Sequence, residues 1–255
     1  MIISPESPLR RLPQRLDREA VLFLDGIRLA IEMAEASLDR LGSALAELSR
    51  DDTPPELVQS LVVSALLDAW AIIDSTHRLR ELLQHMPGGK QKRPELQVFY
   101  RNTTSAETLR HFIQHLREKV SPVAKGAVPL WGILSWRTTT DPKTGRERGY
   151  SIISGSFYPG VWARGAQFGD PVQSTFGFVH LNAGGTIVDL PALVDRMKPL
   201  APLFEAAVAR LSINQALNAS DQVMVFELTP VRREDEPDSP PVEPPASVPP
   251  TNDVE

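Results

Sequence analysis

The 255-residue chain predicts an α+β fold: an N-terminal antiparallel helical bundle followed by a small unit with an antiparallel sheet and helices. Three observations predict it. Leu24, Ile27, Ile31, Ala34, Leu38, Leu41, Leu45 and Leu48 alternate spacings of three and four, the seam of one long helix. A second long apolar stretch, Leu57 to Leu83, is opened by Thr53, Pro54, Pro55 and Glu56 and closed by Pro87, Gly88 and Gly89, so two helices are joined by a short turn. After Pro122 the pattern changes to short runs rich in β-branched and aromatic residues separated by turn clusters.

Taken in order, residues 1–14 read as a flexible lead-in and 15–125 as the bundle. The seam of the first helix packs against a neighbouring helix of the same chain, with dimerisation as the alternative use of such a stripe. Thr53 is placed to cap the second helix, with Glu56 completing a capping box. That helix is apolar on most sides and carries Asp68, Asp74, His77 and Arg78 as polar exceptions; Asp74 with Arg78, and His77 with Glu81, fit one-turn helix pairs. A basic loop, Lys90 to Arg93, leads to a short amphipathic piece near Leu96 to Tyr100 and then to a helix from about Ser105 to Val120. Residues 126–230 form the α+β unit. Its expected strands are 131–137, 149–156, 175–182, 186–190 and 221–228, with Asp189 capping a helix that starts near Pro191 and a further helix at Leu203 to Leu217. Trp131, Trp136, Tyr150, Phe176 and Phe178 read as sheet core, and His180 as a cross-strand residue. The tail, 231–255, is proline-rich and acidic; it buries too little apolar surface to offset its ordering entropy and reads as disordered.

The net charge of −5 comes from that tail, since without it basic and acidic residues are equal in number. A neutral body gives no global attraction for nucleic acid, so any RNA contact needs a local basic patch such as Lys143, Arg146 and Arg148. No cysteine is present, which excludes disulfides, thiolate metal sites and a cysteine nucleophile and suits a reducing compartment. Prolines and mixed charges at the start do not match a signal peptide, and no uninterrupted apolar run reaches about 18 residues. The expectation is a cytoplasmic protein with no membrane partner. There is no GxSxG elbow, no GxGxxG fingerprint and no phosphate-binding P-loop, and no cofactor is expected.

The chemical candidates lie in LRHFIQHLREKV, residues 109–120. Leu109, Phe112, Ile113, Leu116 and Val120 gather on one face of a helix, whereas Arg110 and His115 point about 140° apart on its outer side. Arg110, the polar His111 and then His115, late in a helical bundle, resemble the arginine-x4-6-histidine motif of HEPN domains, over residues about 15–122. A second match, Arg80 to His85, places a carboxylate beside the arginine. The resemblance implies a homodimer whose interface cuts RNA without metal: His115 assists proton transfer around a ribose hydroxyl, Arg110 neutralises phosphate, and His111 supports them.

Two other uses of these residues stay open. His111 and His115 can belong to a solvated stripe with Glu107 and Glu118. Four residues apart, they can also chelate an ion together with Asp74 and His77, although no HExxH pattern accompanies them. At the level of the whole chain, the alternative to a nuclease acting in stress response or defence is a non-catalytic dimeric module whose sheet unit, 126–230, recognises a protein partner.

Overall fold

The computed structural model describes residues 1–87, 93–124, 129–141, 146–155 and 178–212. The described residues fall within one compact unit, and the expected division near residue 125 lies inside it. The expected strand at 221–228 and the proline-rich tail therefore lie outside the described residues, as do Lys143 and Phe176.

Helix α1, Arg18–Leu48, begins where the Asp17 carboxylate accepts a hydrogen bond from Glu19 N at 3.1 Å, satisfying one free donor of the first turn. Its seam is buried at Leu24, Ile27, Ile31, Ala34, Leu41 and Leu45. Most of that seam packs against α2, Pro55–His85, within the same chain. The two run antiparallel, since Gly26 meets Leu82 while Arg40 meets Asp68. The expected capping box at Thr53 does not form. Pro54 occupies the cap position without a side-chain bond, and the Thr53 hydroxyl instead donates back to Glu47 O at 2.5 Å, tying off the carbonyl end of α1. A helix leaves its last carbonyls unpaired just as it leaves its first amides, and here the closer orphan won the hydroxyl. Residues 1–14, for which the sequence suggested a flexible lead-in, hold Ile3, Leu9 and Leu12 in the core around a 3-10 turn at Pro8–Arg10.

Helices α3, Pro94–Asn102, and α4, Thr104–Gln114, complete the bundle, followed by α5, Leu116–Ala124. The single helix expected over 105–120 is thus broken at His115, whose backbone leaves the helical region with φ −103° and ψ 31°. The sheet has the order β2-β1-β3-β4, all antiparallel, from β1 Ile133–Asp141, β2 Arg146–Ile153, β3 Val179–Ala183 and β4 Thr186–Asp189. Asp189 then caps α6, Leu190–Asp195, by accepting from Ala192 N at 2.9 Å, and α7, Leu200–Ser212, lies against the N-terminal 3-10 turn.

Contacts at both hairpins fasten the sheet to the bundle. Trp136 and Tyr150, opposite each other on β1 and β2, stack with ring centroids 5.3 Å apart; their polar tips converge on Ser49, where Trp136 Nε1 donates to Oγ at 2.8 Å and Tyr150 OH donates to the carbonyl at 3.1 Å. At the other hairpin, Gly184 and Gly185 turn β3 into β4 with φ of 56° and 80°, a two-residue turn that an L side chain resists at both positions. A Cβ on Gly184 would lie 2.5 Å from the Phe112 ring, so α4 seats directly on this turn. One hydrophobic core runs through helices and sheet, from Ile31 and Ile72 to Leu134 and Leu181. Trp136 and Phe178 belong to the buried set as expected; Trp131 does not, being 48% exposed ahead of β1 with its carbonyl accepting from Trp70 Nε1. It precedes the first paired residue of the sheet, so it is not held on the alternating inner face.

Candidate functional site

The outer face of the second half of α2 forms the floor of a groove of about 490 Å³, walled by α1 and by Arg110 of α4. Gly26, Leu29 and Met33 supply the α1 wall. They repeat at three and four residues, a second stripe on α1 that faces away from its buried seam. Gly26 lets the two helices approach, since a Cβ there would stand 3.0 Å from Leu82. Leu29 and Met33 remain about half exposed, so the wall is apolar and wet.

The floor carries Asp74, His77, Arg78 and Glu81. Asp74 holds two arginines. Arg78, one turn along the same helix, donates from Nε to Oδ2, forming the expected helix pair, and Arg110 reaches in from α4 with Nε 2.8 Å from Oδ1. The Arg110 N–H is angled off that oxygen, so the contact is ionic without being a hydrogen bond. The expected pairing of His77 with Glu81 is not formed: His77 Nδ1 is shielded from solvent and has no hydrogen-bond partner. Two guanidiniums are therefore offset by two carboxylates inside the groove.

The structure brings together only part of the predicted set. Arg110 is a quarter exposed and lines the groove, but His111 and His115 do not. Both histidines are exposed, and their rings touch at 4.4 Å, as side chains four residues apart on one helical face do. His115 Nδ1 lies 3.7 Å from Glu118, in line with the solvated-stripe reading. His115 closes the last turn of α4 by donating from its N–H to His111 O at 3.2 Å, and the projection of one continuous helix ends there. The chelating alternative is not assembled either: among the described residues no three His, Asp or Glu side chains gather around one point.

The second motif copy has a different role. Arg80 is buried and donates to Tyr100 O at 2.6 Å, to Thr103 Oγ1 at 2.7 Å and to Glu107 Oε2 at 2.5 Å. It pins the α3–α4 junction onto α2, and its His85 bonds only locally, to Glu81 O. Burial pushes the Tyr100 phenol above its ordinary range despite the nearby Arg80 cation. In the sheet, His180 sits opposite Asp189 in register with Nε2 3.5 Å from its carboxylate, the cross-strand place expected for it. Arg148 contacts Asp51 at 3.0 Å, which removes it from an open basic patch.

Sequence reasoning missed the groove itself. Its signal was present as the exposed stripe Leu22, Leu29 and Met33, but an outward apolar stripe has meaning only once the inward one has been assigned. Comparison of the chain with family models, curated proteins and solved structures returned no match.

Proposed function

We propose that the protein is a non-catalytic dimeric interaction module, in which the bundle associates with a second copy and the sheet unit recognises a protein partner. One observation carries the reading: the arginine on which phosphate chemistry would depend is already paired with Asp74, in a groove whose charges cancel and from which His111 and His115 are absent. A phosphate entering there has to displace a carboxylate before it gains a guanidinium. The sheet supports the second half of the proposal, since among the described residues β2 and β4 are its outer strands and Ile187 on β4 is 48% exposed. Edge strands offer unpaired backbone groups for strand addition.

The test uses the full chain. Purified protein incubated with single-stranded RNA in excess chelator is expected to leave the RNA intact. Cleavage that disappears in His115→Ala overturns the reading in favour of the HEPN-like endoribonuclease.

That endoribonuclease is the second reading. It is favoured by the exposure of both imidazoles at the end of α4, where they can meet a substrate or a second subunit. It requires Arg110 of one copy and His115 of another to face a common crevice.

A further inference from the structure

We infer that the groove on α2 binds the free amino terminus of an extended peptide whose first residues are apolar. The charges of the groove cancel in sum but not in place. Arg78 and Arg110 both lie against Asp74. The Glu81 carboxylate, seven residues on and about 10 Å along the helix at 1.5 Å per residue, is exposed and has no hydrogen bond or ion pair among the described residues. Projected at 100° per residue, Asp74, Arg78 and Glu81 fall within about 60° of one another and draw a line along the floor. His77 flanks that line toward α4, the side on which Arg80 meets Glu107, and Leu82 flanks it toward Gly26 of α1.

Each open group on the floor matches one part of a peptide. Glu81 offers a carboxylate to an α-ammonium, a charge-assisted contact of the strong kind. His77 has its Nδ1 shielded, so the ring meets the groove through Nε2. Whichever tautomer the ring holds, a peptide group supplies the complement, because it carries both an N–H and a carbonyl. Arg110 likewise has its Nε shielded, while its Nη nitrogens reach solvent and carry no hydrogen bond among the described residues. They can donate to a neutral carbonyl and leave the Asp74 pair in place, whereas an incoming phosphate has to compete with that carboxylate.

The apolar wall sets the spacing and Glu81 sets the direction. With α1 antiparallel to α2 and Gly26 level with Leu82, Leu29 and Met33 stand level with roughly residues 79 and 75 of α2. They are about half exposed and one turn, about 6 Å, apart. Alternate side chains of an extended chain project to one side about 7 Å apart, so the first and third side chains of the peptide rest on Leu29 and Met33. Three extended residues reach about 10 Å, the interval from Glu81 to the level of Asp74. The reverse orientation would bring the carboxyl end of the peptide against Glu81. This site is separate from the sheet strands assigned above to a protein partner, and it does not depend on association of two copies.

The test uses the full chain and the synthetic peptide Leu-Ala-Leu-Gly-Gly-Lys amide with fluorescein on its lysine. Anisotropy titration is expected to show saturable binding to the native chain, weakened at least about ten-fold when the α-amino group of the peptide is acetylated. Glu81→Gln is expected to bring the free peptide down to the affinity of the acetylated one and to leave the acetylated one unchanged. Met33→Glu, on the exposed wall, is expected to abolish binding of both, and Leu29→Glu repeats the measurement should Met33→Glu fold poorly. Leu67→Ser, exposed on α2 outside the groove, is expected to change neither affinity. No saturation at millimolar protein, an acetylation effect that is absent or that survives Glu81→Gln, or binding retained in both wall variants and lost in Leu67→Ser overturns the inference. Unlabelled Leu-Ala-Leu amide is expected to compete at least about ten-fold better than octylamine; equal competition shows that an ammonium with a hydrocarbon tail suffices and overturns the peptide as the ligand.

Discussion

The two halves of α2 each carry eight hydrophobic residues, eight of thirteen before Asp68 and eight of seventeen after it, in opposite surroundings. Beyond Asp68 the helix is enclosed: Ile72, Ile73, Leu79 and Leu83 are fully buried, and its buried guanidinium, Arg80, has three acceptors. Before Asp68 it is open, with Leu57, Val63 and Leu67 about half exposed or more. The difference arises because α4 packs on α2 and Arg80 fixes the α3–α4 junction to its later turns, whereas Val58 and Val62 of the first turns line a pocket with Trp136 and Tyr150 of the sheet and leave the face of Val63 and Leu67 exposed. A continuous apolar helix therefore says how much surface wants cover, and the fold decides how much of it is covered within one chain.

The comparison can be broken or sharpened by substitutions whose effects fall steadily from the enclosed half to the open one. Arg80→Ala is expected to cost about 3 to 5 kcal/mol, read as a shift in urea midpoint, because it strips the partners from Thr103 and the Tyr100 carbonyl and unseats the α3–α4 junction. A cost under about 1 kcal/mol would mean that the junction holds without it. Asp68→Ala, where the halves meet, should cost about 1 to 2 kcal/mol, since the released Arg40 is exposed enough to return to water. Asp74→Asn should change stability by less than about 1 kcal/mol, the pair being partly solvated, yet raise affinity for polyphosphate measured by fluorescence anisotropy by freeing Arg110. Unchanged affinity would show that Asp74 is not what silences the groove. Leu57→Ser on the open half is expected to move the midpoint by no more than about 0.5 kcal/mol; a larger drop would mean that the exposed half is not open.

Helix identity was legible because burial repeats: the α1 seam, the Asp189 cap and the Gly184–Gly185 turn each follow from a local rule. What escaped depended on partners distant in sequence. Thr53 had two orphan groups to choose from, and only the path of the chain put Glu47 O closer. Asp74 was paired with its helical neighbour Arg78, but the contact that bears on function came from Arg110, thirty-six residues away. Arg80 matched a motif by spacing and proved to be a staple, because spacing does not record depth. Arg110, His111 and His115 read as one candidate catalytic set on a continuous helix, but that helix ends at His115 and Arg110 turns into the groove without the histidines.

Phe112 sits between the two motif positions and rests on a turn with no side chain to yield. That contact works as a detent on α4: turning the helix about its axis would drive an aromatic ring into the peptide backbone of the hairpin. The cylinder is locked in azimuth, and a partner that pulled on the β3–β4 tip would be felt first at residue 112.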